Sequence, residues 1–384
     1  MTVLVDREIK KLTEQGNIIS TASLEGRIGA CTFEPQITDD VYCLVRDMQG
    51  IVRPQRNKTV FRTLSELPKT HYKKLRLPTE LRRGYSYLIK LTDKIHLEED
   101  LCVEASPKSS FGRLFLNTRL LTDYNSSYDQ ILPECIGKRD DLELWLLVQP
   151  LAFNIILDEG MALNQLRFER KTREDSLLNN VQLQQEYQKK PLLFLPGKQE
   201  KPLLNPVIHR GGLHLHLEAT GQYSEGIAAL RAIHNPDPLD LRKRECYNPE
   251  EYYDFIPGNG KIIVEPKENY LVCSQEIVGV PLHLCCTVSA KAEEGLDAKL
   301  HYAGYVHPGY RGGLVLEMTS HEKTPMTLED GSTLANLNFI RTSSSADYGK
   351  QREKYGGQLG PMPPRCFKNP FPRASEYLLS LLDK

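Results

Sequence analysis

The chain has no C-x-x-C pair, no apolar run approaching about 18 residues and no excess of basic over acidic groups. Each absence removes a class of protein. The nine cysteines, at 31, 43, 102, 135, 246, 273, 285, 286 and 366, are odd in number and lack framework spacing. Reduced thiols in a cytoplasmic protein are therefore expected, not a disulfide scaffold. Without a long apolar run no membrane helix is expected. Met1 to Gln15 alternates charged with apolar residues and has no signal-peptide core. Lys and Arg number 49 against 50 Asp and Glu, a formal net charge of −1. A general nucleic-acid binder carries a basic excess, so any polyanion here must meet a local cluster of cations, which suits a nucleotide better than a duplex.

What is present is a globular composition, 40% apolar and 26% charged. At 384 residues the chain exceeds what one core usually organises, so two domains are expected. An internal repeat supports that division. Asn154 to Arg170 (NIILDEGMALNQLRFER) aligns without a gap on Pro325 to Arg341 (PMTLEDGSTLANLNFIR), matching Leu157/Leu328, Gly160/Gly331, Leu163/Leu334, Leu166/Leu337, Phe168/Phe339 and Arg170/Arg341. Apolar alternation on either side of an acidic-Gly turn predicts a β-hairpin, present twice. Asp6 to Gln15 predicts a short amphipathic helix with Asp6 as N-cap and Gly16 as its stop. Beyond it come short β-branched or aromatic runs, among them Val41–Val45, Tyr85–Leu91, Leu142–Val148, Lys261–Val264 and Leu314–Met318, separated by turn residues. The expectation is an all-β chain with minor α content, in two tandem domains at residues 1–170 and 203–384. Residues 171–202, rich in Gln, Lys and Glu, read mainly as a linker with room for a short helix. The Gly/Ser/Lys-rich and then Pro-rich tail from Thr342 to Asn369 reads as mobile.

Two segments resemble a known superfamily. Ser106-Pro-Lys-Ser-Ser-Phe-Gly-Arg113-Leu is similar to the K/R-S-S-x-x-R-L phosphate motif of dUTPases and dCTP deaminases. AGYVHPGYRGGLVLEM from Ala303, LEDGSTLANLNFIR, and DYGKQREKYGGQLGP to Pro361 resemble the nucleoside loop, catalytic strand and tail of dCTP deaminases, in that order. Glu34-Pro-Gln-Ile-Thr-Asp-Asp40 resembles a degenerate Q-P-x-S-x-D strand. The resemblance is to the long, two-domain bacterial deaminases, covers nearly the whole chain, and implies two dUTPase-like β-barrel (β-clip) domains in a homo-oligomer with no nucleic-acid or membrane partner.

The chemistry implied is dCTP plus water to dUTP and ammonia. One route to cytosine deamination uses zinc hydroxide and an H-x-E with P-C-x-x-C signature, which is absent here. Without it, a positioned carboxylate must take a proton from water and return it to the ring and leaving group. The resemblance gives that role to Glu317, on the strand face opposite Leu316 and Met318, where desolvation would raise its pKa. The matching place in the first copy is Leu146 or Leu147, both apolar. Phosphate groups show the reverse asymmetry. Lys108, Ser109, Ser110 and Arg113 offer hydroxyls, amides and two cations to a triphosphate, with Ser109 and Arg113 grouped with Glu317 as catalytic. Ser289-Ala-Lys-Ala-Glu-Glu-Gly-Leu in the second copy lacks the pattern. Such complementary loss suits a composite site.

By the same resemblance, Ala303 reads the cytosine edge and Tyr310 packs on the deoxyribose. Tyr348, Lys350, Lys354, Tyr355 and Gln358 fold over the triphosphate, which arrives with Mg2+. His307 stands where related enzymes that release pyrophosphate carry Asp, which disfavours a diphosphatase step. Two rivals remain open: a dUTP diphosphatase, and a nucleotide-binding regulator without turnover. His214, His216 and Glu218 alternate along one strand, in a pattern more typical of an exposed polar face than of a metal site. Cys285 and Cys286 read as core residues on opposite faces.

Overall fold

The computed structural model describes residues 2–45, 52–133, 141–171, 176–197, 200–290, 298–300, 304–346 and 356–372. The chain divides into two compact units. The first comprises Met1–Asp175 with Pro236–Lys243 and Thr342–Asp347, and the second comprises Ser176–Asn235, Arg244–Arg341 and Tyr348–Lys384. Both are built mainly of β-strands, as the short alternating runs require.

The principal elements of the first unit are α1 (Asp6–Glu14), β1 (Ile37–Leu44), β2 (Thr79–Leu81), β3 (Ser86–Ile95), β4 (Leu101–Pro107), α2 (Ser109–Gly112), β5 (Leu116–Thr122), β6 (Leu142–Pro150), β7 (Ile155–Leu157) and β8 (Asn164–Arg170). Antiparallel β1, β3, β6 and β5 lie in that order in one sheet, while β8 pairs with β4 in a second. β6, with Leu144 to Val148 an unbroken apolar run, is buried on both faces. α1 starts one residue earlier than expected. Asp6 is its first helical residue and Val5 the cap position, whose N–H donates to the Glu8 carboxylate. Gly16 ends it at φ +81°.

In the second unit the elements are α3 (Asn180–Lys189), β9 (Gly212–Glu218), β10 (Ile227–Ala232), β11 (Lys261–Val264), β12 (Asn269–Gly279), β13 (Leu284–Ala290), β14 (Tyr305–Val306), β15 (Arg311–Ser320), β16 (Met326–Glu329) and β17 (Thr333–Arg341). One sheet runs β12, β9, β17, β13, β14, and β15 pairs with β12. α3 lies within the segment read mainly as linker. Asn179 and Gln182 form a reciprocal capping box, and Leu183 and Tyr187 enter the apolar core of the unit with Leu192 and Leu193.

The repeat read from sequence has structural counterparts, though not as the expected hairpins: β7 pairs with β2 and β8 with β4, while β16 pairs with β11 and β17 with β9 and β13, so the strands on either side of each glycine join different sheets. Gly160 and Gly331 both take positive φ, +81° and +74°, and their N–H groups donate to Ile37 O and Leu217 O, both at 2.9 Å. Leu157, Leu163, Leu166 and Phe168 are buried, as are Leu328, Leu334, Leu337 and Phe339. Tyr87 accepts the N–H of Arg82 at its hydroxyl, five residues upstream; Tyr270 does the same for Glu265. In each copy a bulge sets three residues of the long strand against one: 91–93 opposite Leu144, and 274–276 opposite Leu314. The last bulge residue is a buried acid in both. Asp93 accepts the N–H of Gln36 and pairs with Arg27, while Glu276 accepts the N–H of His216 and pairs with its ring. Features this specific, repeated at matching places, are the mark of one fold used twice.

Candidate active site

The ladder decides which residue of the first copy matches Glu317. Tyr87 and Tyr270 are equivalent by their shared hydrogen bond, and lie opposite Val148 and Met318. The next rung pairs Leu88 with Leu147 and Leu271 with Glu317. Leu147 is thus the counterpart of Glu317, and the alternative, Leu146, is set aside. Glu317 sits in the middle of β15 and is only 1% exposed. Leu314, Leu316 and Met318 belong to the apolar core, which by strand alternation puts the carboxylate on the other face. Two residues on, Thr319 donates its hydroxyl to Asn269 Oδ1 at 2.7 Å, so a polar pair shares that face. Burying a carboxylate where a leucine fits is expensive.

Upstream of Glu317, His307-Pro-Gly-Tyr310 forms a tight turn. Tyr310 N–H donates to His307 O at 3.3 Å, and Gly309 supplies φ +80°. The His307 ring stands edge-on to Tyr305, with centroids 5.0 Å apart. Tyr310, expected against a deoxyribose, is 4% exposed and packed with the apolar core. Its hydroxyl donates to Gly313 O at 2.6 Å and accepts from Gln358 Nε2 at 3.3 Å; Gln358 also donates to Gly313 O at 3.1 Å. Two residues expected to meet substrate thus meet each other at the start of β15. Ala303, Tyr348, Lys350, Lys354 and Tyr355 lie outside the described residues.

The tail, expected to be mobile from its Gly, Ser and Lys content, is packed over residues 356–371. Gly357 N–H donates to Arg311 O and Gly313 N–H to Gln358 O. A side chain on Gly312 would approach Gly357 N to 3.1 Å, and one on Gly313 would approach Gln358 O to 3.2 Å, so the glycine pair lets the tail lie against β15. Leu359 packs with Phe194 and Ile277, and Phe367 contacts the rings of Tyr247, Tyr252 and Tyr253. Large apolar side chains among the prolines outweigh the flexible composition.

The segment expected to bind phosphate, residues 108–113, lies in the first unit at the turn from β4 into α2. Lys108 caps this single turn; its N–H donates to Leu163 O at 3.0 Å, and the Arg113 N–H donates to Ser109 O at 3.1 Å. Arg113 is buried, whereas Lys108, Ser109 and Ser110 are partly exposed. The Lys108 ammonium is ion-paired to Glu34, a contact that sequence reasoning missed. Its one signal was an acid in place of Gln at the head of the degenerate strand.

His214, His216 and Glu218 are not the exposed polar face expected of them. His214 and Glu218 are buried. His216 is clasped by Glu276, and Glu218 accepts the N–H groups of Thr220 at 2.9 Å and Gly221 at 3.1 Å. Among the described residues no three His, Cys, Asp or Glu side chains are grouped to hold a metal ion. Cys285 and Cys286 are both fully buried. No described helix is long and apolar enough to cross a membrane.

Comparison with known proteins finds two family domains along the chain. The model of the 2'-deoxycytidine 5'-triphosphate deaminase N-terminal domain matches residues 1–172, and that of the C-terminal domain of the same enzymes matches residues 194–360. Curated relatives include "dCTP deaminase, dUMP-forming" from Corynebacterium jeikeium, 30% identical over 120 residues (30% of this chain, 64% of the relative). The protein of the same name from Nocardia farcinica is 33% identical over 127 residues (31% of this chain, 63% of the relative). The chain spans just under two thirds of the length of these relatives. A crystal structure of 2'-deoxycytidine 5'-triphosphate deaminase from Agrobacterium tumefaciens superposes with a TM-score of 0.78, covering 90% of this chain and 99% of that one, at 23% identity. At that identity the likeness concerns the fold alone. The two matched domains together take in most of the sequence, and the chain belongs to the family of 2'-deoxycytidine 5'-triphosphate deaminases.

Proposed function

We propose that the protein deaminates dCTP at C4 of the cytosine, giving dUTP and ammonia, with Glu317 as the general acid and base. The observation that carries this is a carboxylate buried on the strand where the other copy of the fold keeps Leu147. Addition of water to C4 needs a base to take the water proton and an acid to protonate N3 and the departing amine; one fixed carboxylate serves both in turn. Lys108, Ser109, Ser110 and Arg113 would hold the triphosphate of a magnesium–nucleotide complex, a group of hydroxyls, amides and two cations suited to that anion. In this reading the first unit supplies the phosphate grip and the second the acid, a composite site in a homo-oligomer, with Ala303 and Tyr310 at the nucleoside and Tyr348, Lys350, Lys354, Tyr355 and Gln358 over the triphosphate.

A second outcome has specific support, because the relatives named above are dUMP-forming. His307, a neutral or cationic ring at the Pro-Gly turn where an acid would serve pyrophosphate release, favours dUTP as the product here. One assay separates the readings. With dCTP and magnesium, ammonia without pyrophosphate is the expected result. Ammonia with pyrophosphate would make the enzyme dUMP-forming, pyrophosphate from dUTP alone would make it a diphosphatase, and binding without either product would leave a regulator.

A further inference from the structure

Of the two cations in the phosphate motif, Arg113 is buried and Lys108 is the more accessible, 15% exposed at its side chain. Lys108 already holds an anion, the Glu34 carboxylate. Glu34 is presented from a fixed frame: its N–H donates to Arg27 O at 2.8 Å, and Arg27 Nε donates back to Glu34 O at 3.0 Å. Arg27 is itself buried and ion-paired to Asp93. The carboxylate is 24% exposed, so the pair is partly desolvated and unlike a loose surface contact.

We infer that Glu34 is a resident anion that occupies Lys108 in the absence of nucleotide and sets the affinity of the motif for a triphosphate. The inference rests on reading residues 108–113 as the phosphate-binding segment. A triphosphate arriving there must take the ammonium from Glu34 and then sit beside the released carboxylate. The first step gives up a charge-assisted hydrogen bond and the second adds like-charge repulsion. The acid belongs to the copy that has the phosphate motif. Counting back three residues from the equivalent Ile37 and Leu217 gives Glu34 in the first unit and His214 in the second. Exchange of one anion for another also favours multiply charged ligands, since a monophosphate offers less charge to displace the carboxylate.

The test is calorimetric binding of inorganic triphosphate, and of dCTP, to the full chain at fixed magnesium. Glu34→Gln keeps the shape of the side chain and removes its charge, and should tighten both ligands about tenfold; Glu34→Ala should move in the same direction. In a Lys108→Met background the gain should shrink below about twofold, because the two side chains act on the same event. Unchanged or weaker binding in both Glu34 variants would overturn the inference, as would a gain that survives loss of Lys108. Ammonia release from dCTP is read separately, so a protein that binds as described yet makes no ammonia contradicts the deaminase reading alone.

Discussion

Leu147 and Glu317 stand on the same rung of two copies of one sheet, and the contrast between them is a contrast in solvation. The leucine is accommodated among apolar neighbours, whereas a carboxylate 1% exposed has lost most of its water even when well paired. Glu317→Leu should therefore abolish deamination while leaving the protein as stable as before or more so, by about 1–2 kcal/mol in denaturant unfolding. A loss of more than about 1 kcal/mol would show that the acid is there for stability. The thiols provide a second residue-scale test. Burial raises the Cys366 thiol to about 12, and burial next to the Glu218 carboxylate raises that of Cys273. A raised pKa means less thiolate at any given pH. At pH 8, iodoacetamide should label the exposed Cys246 and spare Cys273 and Cys366 in the folded protein, as mass spectrometry of the labelled peptides can read.

At the scale of elements, the strand–turn–strand units around Gly160 and Gly331 were legible as strands and turns, but not in their pairing, since the two strands of each unit join different sheets. Both glycines need the left-handed region, and neither has a neighbour that an added methyl would strike. Gly160→Ala and Gly331→Ala should each cost about 1 kcal/mol from backbone strain alone; a cost near zero at both would deny the turn geometry. The strand around Glu317 was legible as a short apolar run, Leu314–Met318, set between turn residues. Other elements were not. α3 buries only Leu183 and Tyr187, too few apolar positions to stand out among Gln and Lys, and its capping box is a weak signal without them. The docked tail depends on contacts made to β15 and to residues 247–253, which are distant in sequence. The bulge opposite Leu314 could not be read either. There Ser274 Oγ accepts the Leu314 N–H at 3.0 Å and donates to Glu276 O at 2.8 Å, and no local pattern marks a serine for that task. The pairing of Lys108 with Glu34 was missed on the same ground, since it joins residues 74 positions apart.

Across the whole molecule, the proposed reading is one of duplication followed by complementary loss, with the cations and hydroxyls suited to phosphate kept in the first unit and the acid in the second. Binding and chemistry should then respond separately to mutation, which gives the most direct test of the account. Glu317→Gln preserves size and leaves the phosphate motif untouched in the other unit. The variant should bind dCTP within about threefold of the wild-type affinity, while ammonia release falls by roughly a hundredfold to ten-thousandfold, the usual worth of a general acid–base group. Ammonia released at the wild-type rate by Glu317→Gln would contradict it.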